Sequence, residues 1–209
     1  MTRVLVAYVT NAGSTAEVAE FVGRELGQAV QAAPKIDVLP LKSVRDLGIY
    51  CAVVMGGPMT IGWHREAQRF LQDNQPTLRR VPVACFLTAL SLTTTPESGI
   101  GSVPVFIDPS LAKPARHAGR LSFHERFTTV RSYLDPVLRK APAIAPVGVA
   151  FFAGKLDYGK LNLLQRLFVR VVIGARAGDF RNWEAIRTWT AQVSPWLLKA
   201  EQPVPRKSS

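Results

Sequence analysis

The stretch RVLVAYVTNAGSTAEVAEFVGREL, Arg3–Leu26, constrains this chain more than any other. Val4–Val9 is an unbroken apolar run with β-branched residues, short enough for a strand buried on both faces. Thr10-Asn11-Ala12-Gly13-Ser14-Thr15 follows as a loop of mostly small hydroxyl and amide side chains around one glycine. From Ala16 the period becomes helical, with Val18, Phe21, Val22, Leu26, Ala29 and Val30 on one face. A strand turning through such a loop into a helix N-terminus suits a phosphate. Free backbone N–H groups and the positive end of the helix dipole both face the anion. A plainer reading stands beside it, an ordinary strand–helix turn whose Ser and Thr cap the helix.

The loop is not a nucleoside-triphosphate loop, which needs GxxxxGK[ST], because it has no lysine. Nor is it a dinucleotide loop, since Gly13 stands alone where GxGxxG is required. The spacing Thr10-x-x-Gly13-x-Thr15, without a cation, resembles the phosphate loop of flavodoxins. That resemblance implies a flavin mononucleotide (FMN) phosphate held by hydroxyls and main-chain amides.

Further strands are expected at Lys35–Leu41, near an edge because of Pro40, and at Tyr50–Gly56, Val81–Leu87 and Val147–Gly154. Helices are expected over Glu66–Leu78, over Phe123–Arg139 with Phe127, Val130, Leu134 and Leu138 inward, and from about Trp183 to Leu198. Asn182 is placed to cap the last helix, and Pro195 to bend or shorten it. Alternating strands and helices predict an α/β, flavodoxin-like three-layer sandwich with a five-stranded parallel sheet, order 2-1-3-4-5. Such a sheet takes its ligand beyond the carboxyl ends of strands one and three. Gly56, Gly57 and Gly62 would let the backbone approach it, and Trp63 would either stack on a flavin ring or pack under the next helix. Leu87-Thr88-Ala89-Leu90-Ser91 forms the third wall.

Two insertions follow strands four and five. Thr93–Ser122, with four prolines and three glycines, reads as a long loop, and Lys155–Arg181 precedes the last helix. One domain is expected over residues 1–200, with a disordered tail at Glu201–Ser209. Residues 113–176 carry twelve Lys/Arg against three acids, out of a net charge of +11 for the chain. So concentrated a basic region implies an anionic partner. Leu161–Ala175 buries one face as a helix; opposite, Arg166 and Arg170 mix with Leu163, Val169 and Ile173. That face suits either an acidic lipid surface or packing on two sides, with arginine stems lying over apolar surface. Nucleic acid is not expected, for lack of a motif or of interleaved exposed aromatics. Cys51 and Cys85 fall in different strands and read as free thiols, which suits the cytoplasm. The histidines His64, His117 and His124 do not suggest a metal site. No signal peptide is expected, and no apolar run reaches the roughly 18 residues that span a bilayer.

Three segments together resemble the flavodoxin-domain family that contains the menaquinone-dependent protoporphyrinogen oxidases (dehydrogenases). They are VLVAYVTNAGSTAEVAEFVGREL, VVMGGPMTIGWHREAQRFL and FFAGKLDYGKLNLLQRLFVRVVIGARAGDFRNWEAIRTW. The resemblance covers nearly everything except Thr93–Ser122 and the tail. It implies FMN, work at the cytoplasmic face of the membrane in heme biosynthesis, and a quinone as electron acceptor. By position it puts the phosphate on Thr10, Asn11, Ala12, Gly13, Ser14 and Thr15. The ring would lie among Pro58, Met59 and Thr60, then Leu87, Thr88 and Ala89, then Gly154, Lys155 and Leu156. Lys155, Lys160 and Arg166 would draw porphyrinogen propionates, and Lys160, Arg166 and Arg170 would dock the membrane or substrate. The chain departs from that family at Thr60, where a basic residue is common, and in the length of Thr93–Ser122. No side chain presents itself as a catalytic acid or base beyond His64, near the expected ring. A flavodoxin-like electron carrier with a protein partner is the alternative.

Overall fold

A computed structural model of the chain describes residues 3–29, 34–59, 62–95, 103–117, 120–156, 159 and 177–198. Six strands build one parallel sheet: β1 (Arg3–Tyr8), β2 (Lys35–Pro40), β3 (Ala52–Pro58), β4 (Val83–Ala89), β6 (Val105–Ile107) and β8 (Gly148–Ala153), ordered β2-β1-β3-β4-β8-β6. The five expected strands thus lie in the expected order, and β6 adds an edge. Two small pairs stand apart, β5 (Leu92–Thr94) beside β7 (Ala112–Pro114), and β9 (Lys155–Leu156) antiparallel to β10 (Gly178–Asp179).

Period-two alternation sorts the strand side chains onto two faces. Val4, Val6, Val54, Phe86 and Phe152 meet helix α1 (Ser14–Gln28) and the last helix, α6 (Trp183–Leu198). Leu5, Ala7, Met55, Cys85 and Phe151 meet α2 (Arg65–Asp73), α3 (Gln75–Leu78) and α5 (Val130–Lys140). Both faces of the central strands are therefore dry, as their unbroken apolar runs require.

Several expectations are corrected. The stretch Thr93–Ser122 contains β6, β7 and part of β5. The helix expected over Glu66–Leu78 breaks at Asn74, because Pro76 has no N–H for the Gln72 carbonyl; Gln75 Nε2 donates there instead, at 3.3 Å. The helix expected from Phe123 splits into α4 (Phe123–Phe127) and α5. Thr129 and Ser132 form a capping box that restarts it, and Phe127 is exposed rather than inward. Pro195 does not shorten α6: Ser194 Oγ donates to the Ala191 carbonyl that residue 195 cannot serve.

Asn182 Oδ1 does accept the Ala185 N–H, at 3.1 Å, as the cap of α6. Neither cysteine forms a disulfide; Cys51 Sγ donates to the Arg3 carbonyl at 3.2 Å, and burial pushes the Cys85 thiol up to about 12. The first insertion is fastened by Glu125. Its carboxylate accepts the backbone N–H groups of Arg116 and Ser122 at 2.8 and 2.7 Å, and these hydrogen bonds hold its pKa at about 2. The Leu161–Ala175 segment, with Arg166 and Arg170, lies outside the described residues, as do Val30, Thr60, Lys160 and the tail. Among the described residues, no helix is long and apolar enough to cross a membrane.

Candidate functional site

The parallel strands direct the loops after β1, β3, β4 and β8 to one edge of the sheet. At β1 the chain turns on Gly13, whose φ of 91° is left-handed, and enters α1 with no side-chain cap. Thr10 Oγ1 accepts the Gly13 N–H at 2.9 Å, so its hydroxyl proton remains to donate outward. Ser14 and Thr15 do not cap the helix. Thr15 is buried and its hydroxyl meets that of Thr88 at 3.0 Å, tying the start of α1 to the end of β4. One proton makes that bond, and the other is left to the pair. A fifteen-residue helix whose first turn lacks a side-chain cap, with hydroxyls beside it, presents N–H groups and the positive end of its dipole to an anion.

The other expected walls lie close by. Met59 N donates to Thr88 O at 2.8 Å and joins the loops after β3 and β4. Gly154 N donates to Ala89 O at 2.8 Å and joins β4 to β8. Pro58 is half-buried, Leu87 and Ala89 are buried, Lys155 is half-buried, and Leu156 is buried in β9. Asn11 is exposed and Ala12 half-buried at the loop's crest.

Trp63 takes the packing alternative. Gly62, at φ 75°, turns the chain back so that Met59 bridges Trp63, and the indole is buried with Nε1 beside Gly57. A Cβ on Gly57 would come within 2.5 Å of Nε1, so the packed indole itself requires a glycine here. Trp63 Nε1 has no hydrogen-bond partner among the described residues. His64 caps α2, its Nδ1 accepting the Glu66 N–H at 3.3 Å.

Two groups escaped the sequence reading. Asp108, fully buried at the end of β6, accepts four hydrogen bonds: from Ser110 N and Oγ at 2.9 and 2.8 Å, Ala153 N at 3.1 Å and Asn182 Nδ2 at 3.3 Å. Arg181 is bound by Glu17 at 2.8 Å and Asp179 at 2.5 Å, and lies over the Trp183 ring at 4.6 Å. Its guanidinium hydrogen bonds hold the Asp179 carboxyl below the usual carboxylate range. The run VFID and the tripeptide RNW carry only faint signals of these roles. No three metal-ligating side chains cluster among the described residues.

The sequence profile of the flavodoxin domain matches residues 5–182. This chain belongs to the flavodoxin domain family. A flavodoxin from the Archaea shares the fold with a TM-score of 0.50 at 9% identity, over 96% of this chain and all of that one. An oxidoreductase from Corynebacterium diphtheriae gives 0.48 at 14% identity, over 95% of this chain and 98% of that one. The rubredoxin:oxygen oxidoreductase of Desulfovibrio gigas gives 0.49 at 11%, over 97% of this chain and 38% of that one. No curated protein matches the chain.

FMN is the cofactor that flavodoxin domains bind. The residues present fit its phosphate: an uncapped helix, a left-handed glycine, and outward hydroxyls at the carboxyl edge.

Proposed function

We propose that this flavodoxin-domain chain is an FMN-dependent oxidoreductase resembling the quinone-dependent protoporphyrinogen dehydrogenases. It would take electrons from a reduced anionic substrate and deliver them to a quinone at an acidic membrane surface. When bound, the flavin supplies the electron or hydride chemistry. The chain's own part is to hold the phosphate on Thr10–Thr15 and to shape access to the ring.

The observation that carries the reading over a plain electron carrier is the closure of the β8 side. A carrier needs an open ring edge for its protein partner. Here β9 pairs with β10, Phe180 N donates to Gly154 O at 3.2 Å, and Arg181 locks the return strand onto the first turn of α1. Walls of this kind favour a small substrate over a protein surface. The basic stretch 113–176 supplies the charge for acidic headgroups and carboxylates, with Lys155, Lys160, Arg166 and Arg170 among its cations.

Anaerobic mixing of the FMN-loaded chain with protoporphyrinogen IX tests the proposal. Bleaching of the flavin band, followed by its return on addition of a menaquinone analogue, is the expected result. A flavin that stays oxidised with protoporphyrinogen IX, yet is reduced by a redox protein, would replace the enzyme with the electron carrier.

A further inference from the structure

Among the described residues, four large hydrophobic side chains are exposed: Ile49, Phe127, Phe180 and Trp196. Ile49 precedes β3 and Trp196 lies beside the start of β8, both at the amino edge of the sheet. Phe127 ends α4. Phe127 shares the carboxyl edge, since Thr128 O accepts the Thr93 N–H just beyond β4, whereas Phe180, directly after β10, is tied by hydrogen bonds to Gly154 and, through Arg181, to α1.

Its backbone is fixed from both sides. Phe180 N donates to Gly154 O, and Gly154 N in turn donates to Ala89 O, so two hydrogen bonds link it to the end of β4. On its other side, Arg181 reaches Glu17 and approaches Ser14 O at 3.4 Å, in the first turn of α1. The ring leans on Gly178, where a Cβ would come within 2.8 Å of it, and 48% of the residue stays exposed. A half-exposed aromatic thus stands on a backbone fastened to the ends of β4 and β8 on one side and to the first turn of α1 on the other. Water is a poor neighbour for that face, whereas a planar ring is a good one.

We infer that Phe180 is the aromatic wall of the flavin site, laying its ring against the isoalloxazine of FMN bound at Thr10–Thr15. The inference rests on the FMN reading above. It moves the stacking contact from the loop after β3, where Trp63 has turned inward, to the exit of the second insertion. Phe180 is a binding residue with no part in proton transfer.

Two variants test it by fluorescence titration with FMN. Phe180→Leu keeps an apolar side chain but removes the planar face, and should weaken FMN binding about three- to tenfold. Phe180→Trp puts an indole, a contact quencher of flavin emission, at the same place. Emission from its bound FMN should fall about fivefold or more below that of the unaltered chain. If both variants bind FMN with unaltered affinity and Phe180→Trp leaves the emission lifetime unchanged, the wall lies elsewhere and the inference is overturned. If the unaltered chain itself takes up no FMN, it is the flavin reading that fails.

Discussion

Replacing Gly56 with alanine should destabilise the chain by about 3 kcal/mol, the upper end of what overpacking costs. The new Cβ would overlap the Phe86 ring, with both Cε atoms at 2.5 Å. That ring has nowhere to go, because Phe86 is fully buried between Phe152 and Trp189, with ring centroids at 6.1 and 6.2 Å. Relief must therefore come from the backbone of β3 or β4, at the strand ends that carry the site. For a domain of this size the cost corresponds to a fall in Tm of about 6–12 °C. Thermal unfolding followed by circular dichroism measures it, and a double-mutant cycle identifies the cause. Phe86→Leu should restore part of the stability that Gly56→Ala loses, with a coupling energy of about 1–2 kcal/mol. Additive losses would show that the ring is not what the methyl group meets.

Replacing Asp108 with alanine should cost about 3–5 kcal/mol, since it strands several buried or half-buried donors at once. The Ala153 N–H is the worst placed, inside the sheet edge with no other acceptor among the described contacts. Asp108→Asn should cost less, about 1–3 kcal/mol, because one oxygen can still serve Ser110 and Asn182 while the amide nitrogen faces the Ala153 N–H. Urea unfolding separates the two. Equal losses for Ala and Asn would contradict the hydrogen-bond account. The residue also joins parts that carry the site: the first insertion, the end of β8 and the cap of α6. Its loss should therefore loosen the Phe180–Asn182 return.

The main sheet was legible because its strands are buried on both faces, and apolar runs such as Val4–Val9 and Val147–Gly154 have no other use. The turn into α1 was legible because Gly13 stands between a strand and a helix of clear period. The edge strand β6 was not. It has three residues, half-buried, beside Pro104, and a run that short has no period to detect. Trp63 could be read both ways, since a glycine loop serves a ligand and an indole equally well. Only the reversal at Gly62 decides it. Phe127 matched the helical period of α5, but the Thr129–Ser132 capping box begins a new helix, and the period does not carry across. Asp108 and Arg181 act through partners about 45 and 164 residues away in sequence, a distance at which spacing carries no information.

Titrating FMN into the purified, flavin-free chain tests the central claim most directly. The account predicts a yellow 1:1 complex. It also predicts that Gly13→Val, which forces a β-branched residue into the left-handed turn at φ 91°, weakens binding about tenfold or more. A chain that stays colourless with excess FMN, or a Gly13→Val variant that binds FMN as tightly as the unaltered chain, would contradict it.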